Sequence, residues 1–153
     1  AGIAVALGEP AQPSFRVYAE QVLKNAKAME AVLRKENIRM LTGGTDNHLI
    51  LADVFGSLSI SGKEAETVLD EVGITLNKNA IADDTRPPLD PSGIRFGTPP
   101  MTTRGMKEAE ATKVAELLML TLRNKDDASK KTEIKKEVQG LCEQFPVPES
   151  FIK

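Results

Sequence analysis

The sequence predicts an α+β fold, a small and mainly antiparallel sheet with helices packed on it. Three observations carry that expectation. Apolar residues recur at helical spacing near both ends of the chain, short runs of branched residues lie between glycine-bearing turns in the middle, and no repeat or low-complexity tract interrupts them. At 153 residues the chain has the length of one ordinary domain, enough to bury about 68–70% of its unfolded surface.

The elements follow in order. "GIAVAL" reads as the last turns of a helix, with neither an initiator Met nor the signature of a signal peptide before it, so the text reads as part of a longer protein. From Ser14 to Asn37 the positions Phe15, Ala19, Val22, Leu23, Ala26, Met29, Val32 and Leu33 form one apolar stripe, with Pro13 near the start and Ser14 as the expected cap. "IRMLTGG" and "NHLILADV" are short strands, and the "GGTD" between them, through its glycines and Asp46, suits a turn with positive φ that makes them antiparallel neighbours. "SGKEAETVLDEVG" is a helix capped by Ser61 and stopped by Gly73. "ITLNKN" is a strand and "AIADDTRPPLDPS" a loop dense in Pro and Asp. In "GIRFGT" the alternation puts Ile94 and Phe96 on a buried face and Arg95 on the other. Two helices end the chain, one striped by Val114, Leu117, Leu118, Thr121 and Leu122, the other by Ile134, Val138, Leu141, Cys142 and Phe145, with "RNKDDASKK" linking them.

Composition excludes several function classes. Twenty Lys and Arg against twenty-two Asp and Glu give a formal net charge of −2, so no whole-domain field gathers nucleic acid or anionic lipid. No apolar run reaches the length of a membrane span. One cysteine, Cys142, allows no internal disulfide and fits a reducing compartment, the cytoplasm. "GGTDNH" has neither the Walker spacing nor the dinucleotide fingerprint. A lone histidine forms no clustered metal site; His48, beside Asp46 and Asn47, reads as a neutral side chain pinning a turn. Cys142, on an apolar stripe, reads as buried and structural.

Two places retain chemistry. Arg95 lies between Gly93 and Gly97 and points away from the core; its planar, always-charged fork matches a carboxylate or phosphate, and the flanking glycines let a ligand or another backbone come close. A structural salt bridge explains the same spacing. Asn77, Lys78 and Asn79 end a strand, where amides can meet the donor and acceptor edge of a planar heterocycle, or simply serve a turn.

"LTGGTDNHLILAD", "GITLNKNAIADD", "SGIRFGTPPMTTRGM" and "EAEATKVAELL", in this order, resemble the C-terminal part of the serine hydroxymethyltransferase (glycine hydroxymethyltransferase) family, and the likeness runs from the first long helix to "FPVP". The resemblance implies the C-terminal small domain of a fold-type-I transferase that uses pyridoxal phosphate to interconvert serine and tetrahydrofolate with glycine and methylenetetrahydrofolate. It implies residues 1–12 as the end of an inter-domain helix or linker and 13–153 as the small domain. On the matching positions, Arg95 of "SGIR" takes the amino-acid carboxylate and Asn79, the second asparagine of "NKN", hydrogen-bonds the pteridine of the folate. The family's threonine-rich motif with the Schiff-base lysine does not occur in these residues, nor do the aspartate for the pyridine nitrogen and the aromatic that stacks on the ring. The resemblance thus assigns no catalytic, cofactor-binding or metal-binding residue to this chain and implies that the chain alone is inactive. The expected partners are a large domain of the same enzyme, serine or glycine, tetrahydrofolate, and further copies in a homodimer or homotetramer, with no nucleic acid and no membrane. The competing expectation is a stand-alone, non-catalytic domain that binds a carboxylate ligand or another protein.

Overall fold

The computed structural model describes residues 2–149. A short helix α1 (Gly2–Gly8) precedes the long α2 (Pro13–Lys35). Strands β1 (Arg39–Met40) and β2 (Leu49–Asp53) lead into α3 (Val54–Leu58) and α4 (Gly62–Glu71). Then come β3 (Asn77–Asn79), β4 (Gly93–Gly97), α5 (Pro99–Thr103), α6 (Glu108–Arg123) and α7 (Ala128–Gln144). The four strands form one antiparallel sheet in the order β1-β2-β4-β3, which is the predicted α+β class.

The alternation of β2 and β4 makes the sheet two-faced. Ile50, Ala52 and Ile94 are buried against Met29 and Leu33 of α2, Ala65 and Leu69 of α4, and Leu118 and Leu122 of α6. Each fully buried aliphatic side chain contributes about 1.5–3 kcal/mol of burial free energy. Helices α2 and α6 make the most extensive helix pairing, and α7 adds an outer layer through Ile134 and Val138 on Leu117 and Val72. The opposite face of the sheet carries no helix among the described residues: Leu49 and Arg95 are exposed and Leu51 half-buried.

Local chemistry sets most boundaries. Ser61 Oγ accepts from Glu64 N at the start of α4, and Gly73 adopts φ 87 just past its end. Asp127 caps α7 through Lys130 N, so only Asn124–Asp127 of the charged run lies between helices. Three expectations need correction, and two short helices come in addition. Helix α2 begins at Pro13, with Gln12 rather than Ser14 at the cap position, because proline's fixed φ suits the first turn. In "GGTD" the positive φ values belong to Gly43 and Gly44, not to Asp46. Helices α3 and α5 have five residues each, too few to show a period. Cys142 is exposed: α7 is held to α6 by Ile134 and Val138, and its last turn runs past that contact.

Candidate functional site

The candidate site is built on the open face of β4. Arg95 stands between Leu51 of β2 and Asn77 of β3 in the ladder, and Asn79 stands across from Gly93. Partners directly across a ladder share a face, so Arg95, Asn77 and Asn79 project to one side of two neighbouring strands. Among the described residues Arg95 enters no ion pair: the arginines that do are Arg16, Arg34, Arg39, Arg86 and Arg123. The salt-bridge alternative therefore finds no partner here. Asn79 is half-buried, and its Nδ2 donates to Ala80 O at 2.6 Å.

The glycines beside Arg95 admit the protein's own atoms. A Cβ at Gly93 would lie 2.6 Å from Ile81 Cγ2, 2.8 Å from Asn79 O and 3.1 Å from Ala52 O; one at Gly97 would lie 2.9 Å from His48 O and 3.1 Å from Leu49 Cδ2. Of the two options that the glycines raise, close approach of ligand or of backbone, the structure shows the second.

Two carboxylates hold the loops that border this face, and neither was singled out in the sequence. Asp84 accepts from Ile81 N, Arg86 N, Ser92 N and Ser92 Oγ, closing the loop between β3 and β4. These bonds, the one from Ser92 N foremost, hold its carboxyl well below the usual range. Arg86, gripped by Asp90, stacks 4.3 Å over the Phe55 ring.

Glu30 of α2 accepts from Arg34 NH2 at 2.7 Å, Lys27 Nζ at 2.9 Å and Thr45 N at 3.2 Å. Its burial opposes ionisation, but these donors outweigh it and hold the carboxyl at about 2. The turn so anchored continues into β2: Thr45 Oγ1 donates to Leu49 O, and Asn47 Oδ1 accepts from Leu49 N. His48 does not pin it with its imidazole; its carbonyl accepts from Thr98 N at 3.1 Å, and its ring is exposed.

Behind β4 a buried polar chain fixes the end of the strand. Thr98, fully buried, donates from Oγ1 to Val22 O at 2.8 Å, and Thr102 Oγ1 donates to Thr98 O. Asn25, also fully buried, donates to Thr102 Oγ1 and Met106 O. The only sequence signal for Asn25 and Glu30 is a polar residue beside an apolar stripe.

The fold and this face define an α+β domain whose open sheet face presents two amides and, beside the Arg39–Asp53 pair, one arginine outside any ion pair among the described residues. The chain belongs to the serine hydroxymethyltransferase family, whose model matches residues 1–118. A relative from Acidobacterium capsulatum, named serine hydroxymethyltransferase, is 49% identical over 144 residues, which is 94% of this chain and 34% of the relative. The chain thus spans about a third of the length of the curated relative it matches. None of the helices among the described residues is long and apolar enough to cross a membrane.

The family implies pyridoxal phosphate, whose aldehyde carbon needs a lysine amine. The strand positions of the open face hold no lysine among the described residues; Lys78 stands opposite Ile94, toward the inner face, and pairs with Glu66 at 2.5 Å. This face fits a carboxylate and an amide-reading heterocycle and does not fit the cofactor's reactive end.

Proposed function

We propose that the chain serves as the small domain of a serine hydroxymethyltransferase, supplying substrate-binding side chains to a site that a large domain completes. In this reading residues 1–12 end an inter-domain helix and 13–153 form the small domain. Arg95 binds the carboxylate of serine or glycine, and Asn79 hydrogen-bonds the pteridine of tetrahydrofolate. The observation that carries the proposal is the exposed Arg95 guanidinium, without an ion-pair partner among the described residues, on a strand whose end is tied down by Thr98. A charge held on so stiff a support loses little freedom on pairing with a carboxylate, and a bidentate pair also fixes that carboxylate's orientation.

Pyridoxal phosphate, held by residues outside this face, supplies the electron sink of such chemistry. The contribution of this chain is orientation: Arg95 anchors one end of the amino acid, and Asn79 sets the folate ring on the neighbouring strand. The chain alone is proposed to be inactive and to retain no pyridoxal phosphate through gel filtration. The complete enzyme is proposed to be a homodimer or homotetramer of the cytoplasm, acting in one-carbon metabolism.

The experiment is Arg95→Ala in a serine hydroxymethyltransferase that contains this segment. Loss of a charge-assisted pair raises the KM for serine about 10- to 100-fold, while Asn79→Ala raises the KM for tetrahydrofolate and spares that for serine. A normal serine KM in the Arg95 variant ends the carboxylate assignment.

A further inference from the structure

A cleft of about 300 Å³ opens on the other side of β4 from Arg95. Its walls are apolar, formed by Ile74, Phe96, Met101, Leu117 and Leu141, with the exposed Cys142 at its edge. The size falls at the lower end of small-molecule sites. Among the described residues that line it, only Arg104 is charged.

Arg104 donates through Nε to Phe145 O at 2.5 Å and through NH2 to Cys142 O at 3.2 Å, so it holds the last carbonyls of α7. Both acceptors are neutral, and among the described residues no carboxylate pairs with it. A guanidinium has five N–H donors, and two suffice for these bonds. A half-buried cation with spare donors beside an apolar cleft favours a ligand with an anionic head and an apolar body.

We propose that this cleft binds an apolar carboxylate, its chain lying between Phe96, Met101 and Leu117 and its head on Arg104. The ligand seats against the inner side of the strand whose outer side carries Arg95. It also shields the Cys142 thiol and links α5 to the last turn of α7.

The test titrates octanoate into the 153-residue chain, followed by amide NMR and by the rate of Cys142 alkylation. Binding gives saturable shifts at Phe96, Met101, Leu117, Leu141 and the Arg104 Nε–H, and slows alkylation. Arg104→Gln keeps a donor for the α7 carbonyls but removes the charge; it weakens octanoate about tenfold and changes octanol affinity by less than about twofold. Val114→Phe, which fills the cleft from α6, removes binding of both while the chain stays folded by its amide spectrum. Scattered shifts without saturation, or unchanged octanoate affinity in Arg104→Gln, overturn the proposal. So does a dimer by sedimentation that buries Cys142 and ignores octanoate, since the cleft is then a contact between copies.

Discussion

Ile81 fills the space that a Cβ would need at Gly93, its Cγ2 lying 2.6 Å from that point. The backbone carbonyls of Asn79 and Ala52 stand at 2.8 and 3.1 Å from the same point, so protein atoms already occupy the place a Cβ would take just before Arg95. Gly93→Ala is expected to destabilise the chain by about 1–3 kcal/mol, as overpacking does, which thermal melting reads as a drop of roughly 2–4 °C per kcal/mol. Gly140, inside α7 with nothing within 4 Å of its ideal Cβ, is the contrast: Gly140→Ala raises stability by about 0.5–1 kcal/mol. A Gly93→Ala chain with an unchanged melting point contradicts the close-packed frame.

Glu30 makes the fold acid-sensitive. Its carboxyl is lowered from the model-compound value of 4.5 to about 2, so its contribution is fully present above pH 4.5 and is lost as pH falls toward 2. Denaturant melts between those limits should show stability falling with acid. Glu30→Gln flattens that part of the profile and costs about 1.5–3 kcal/mol at neutral pH, where hydrogen bonds to a charged group are lost. A variant with the same acid slope as the parent assigns the sensitivity to other groups.

The Asp84 clasp predicts a local effect. Asp84→Ala removes both carboxylate oxygens, and with them the acceptors of Ile81 N, Arg86 N and Ser92 N, and hydrogen exchange at those amides is expected to speed up while that of Leu33 and Leu118 in the core stays slow. Since the carboxyl is lowered below 3.8, the loop should loosen in the wild type only under acid stronger than that value. Uniform acceleration across the chain would point to global destabilisation instead.

Arg95 separates binding from stability. Since Arg95 is exposed and outside any ion pair among the described residues, Arg95→Ala should leave the stability of this chain within about 0.5 kcal/mol of the parent, whereas under the proposed carboxylate role the same change in a complete enzyme raises the serine KM. Thr98→Val does the reverse kind of damage. It removes a buried O–H bond to Val22 O and costs about 1–3 kcal/mol, read in denaturant melts. A neutral Thr98→Val would mean that the polar chain from Asn25 to Thr98 does not hold the strand end.

Much of this was legible before any coordinates. The 3.6-residue period of α2 and α6, the alternation that sends Ile94 inward and Arg95 outward, the Ser61 cap and the Gly73 stop are all written in neighbouring residues, and local backbone preference follows local sequence. The antiparallel pairing of β1 and β2 followed from the glycines between them. Cys142 misled because its position on a stripe says which way it points, not whether another helix is still there to cover it.

The α+β class, the order of the main elements, the family and the outward direction of Arg95 are all readable from neighbouring residues alone. Three features emerge only in the folded chain: the glycines around Arg95 admit Ile81 and backbone, Glu30 holds the turn at Thr45, and Asn25 and Thr98 fasten the strand end to α2 and α5. Those contacts join residues 12 to 77 positions apart in the chain. Nothing in a periodic pattern encodes such distances; they exist only once the helices have collapsed onto the sheet and buried polar groups must find partners there.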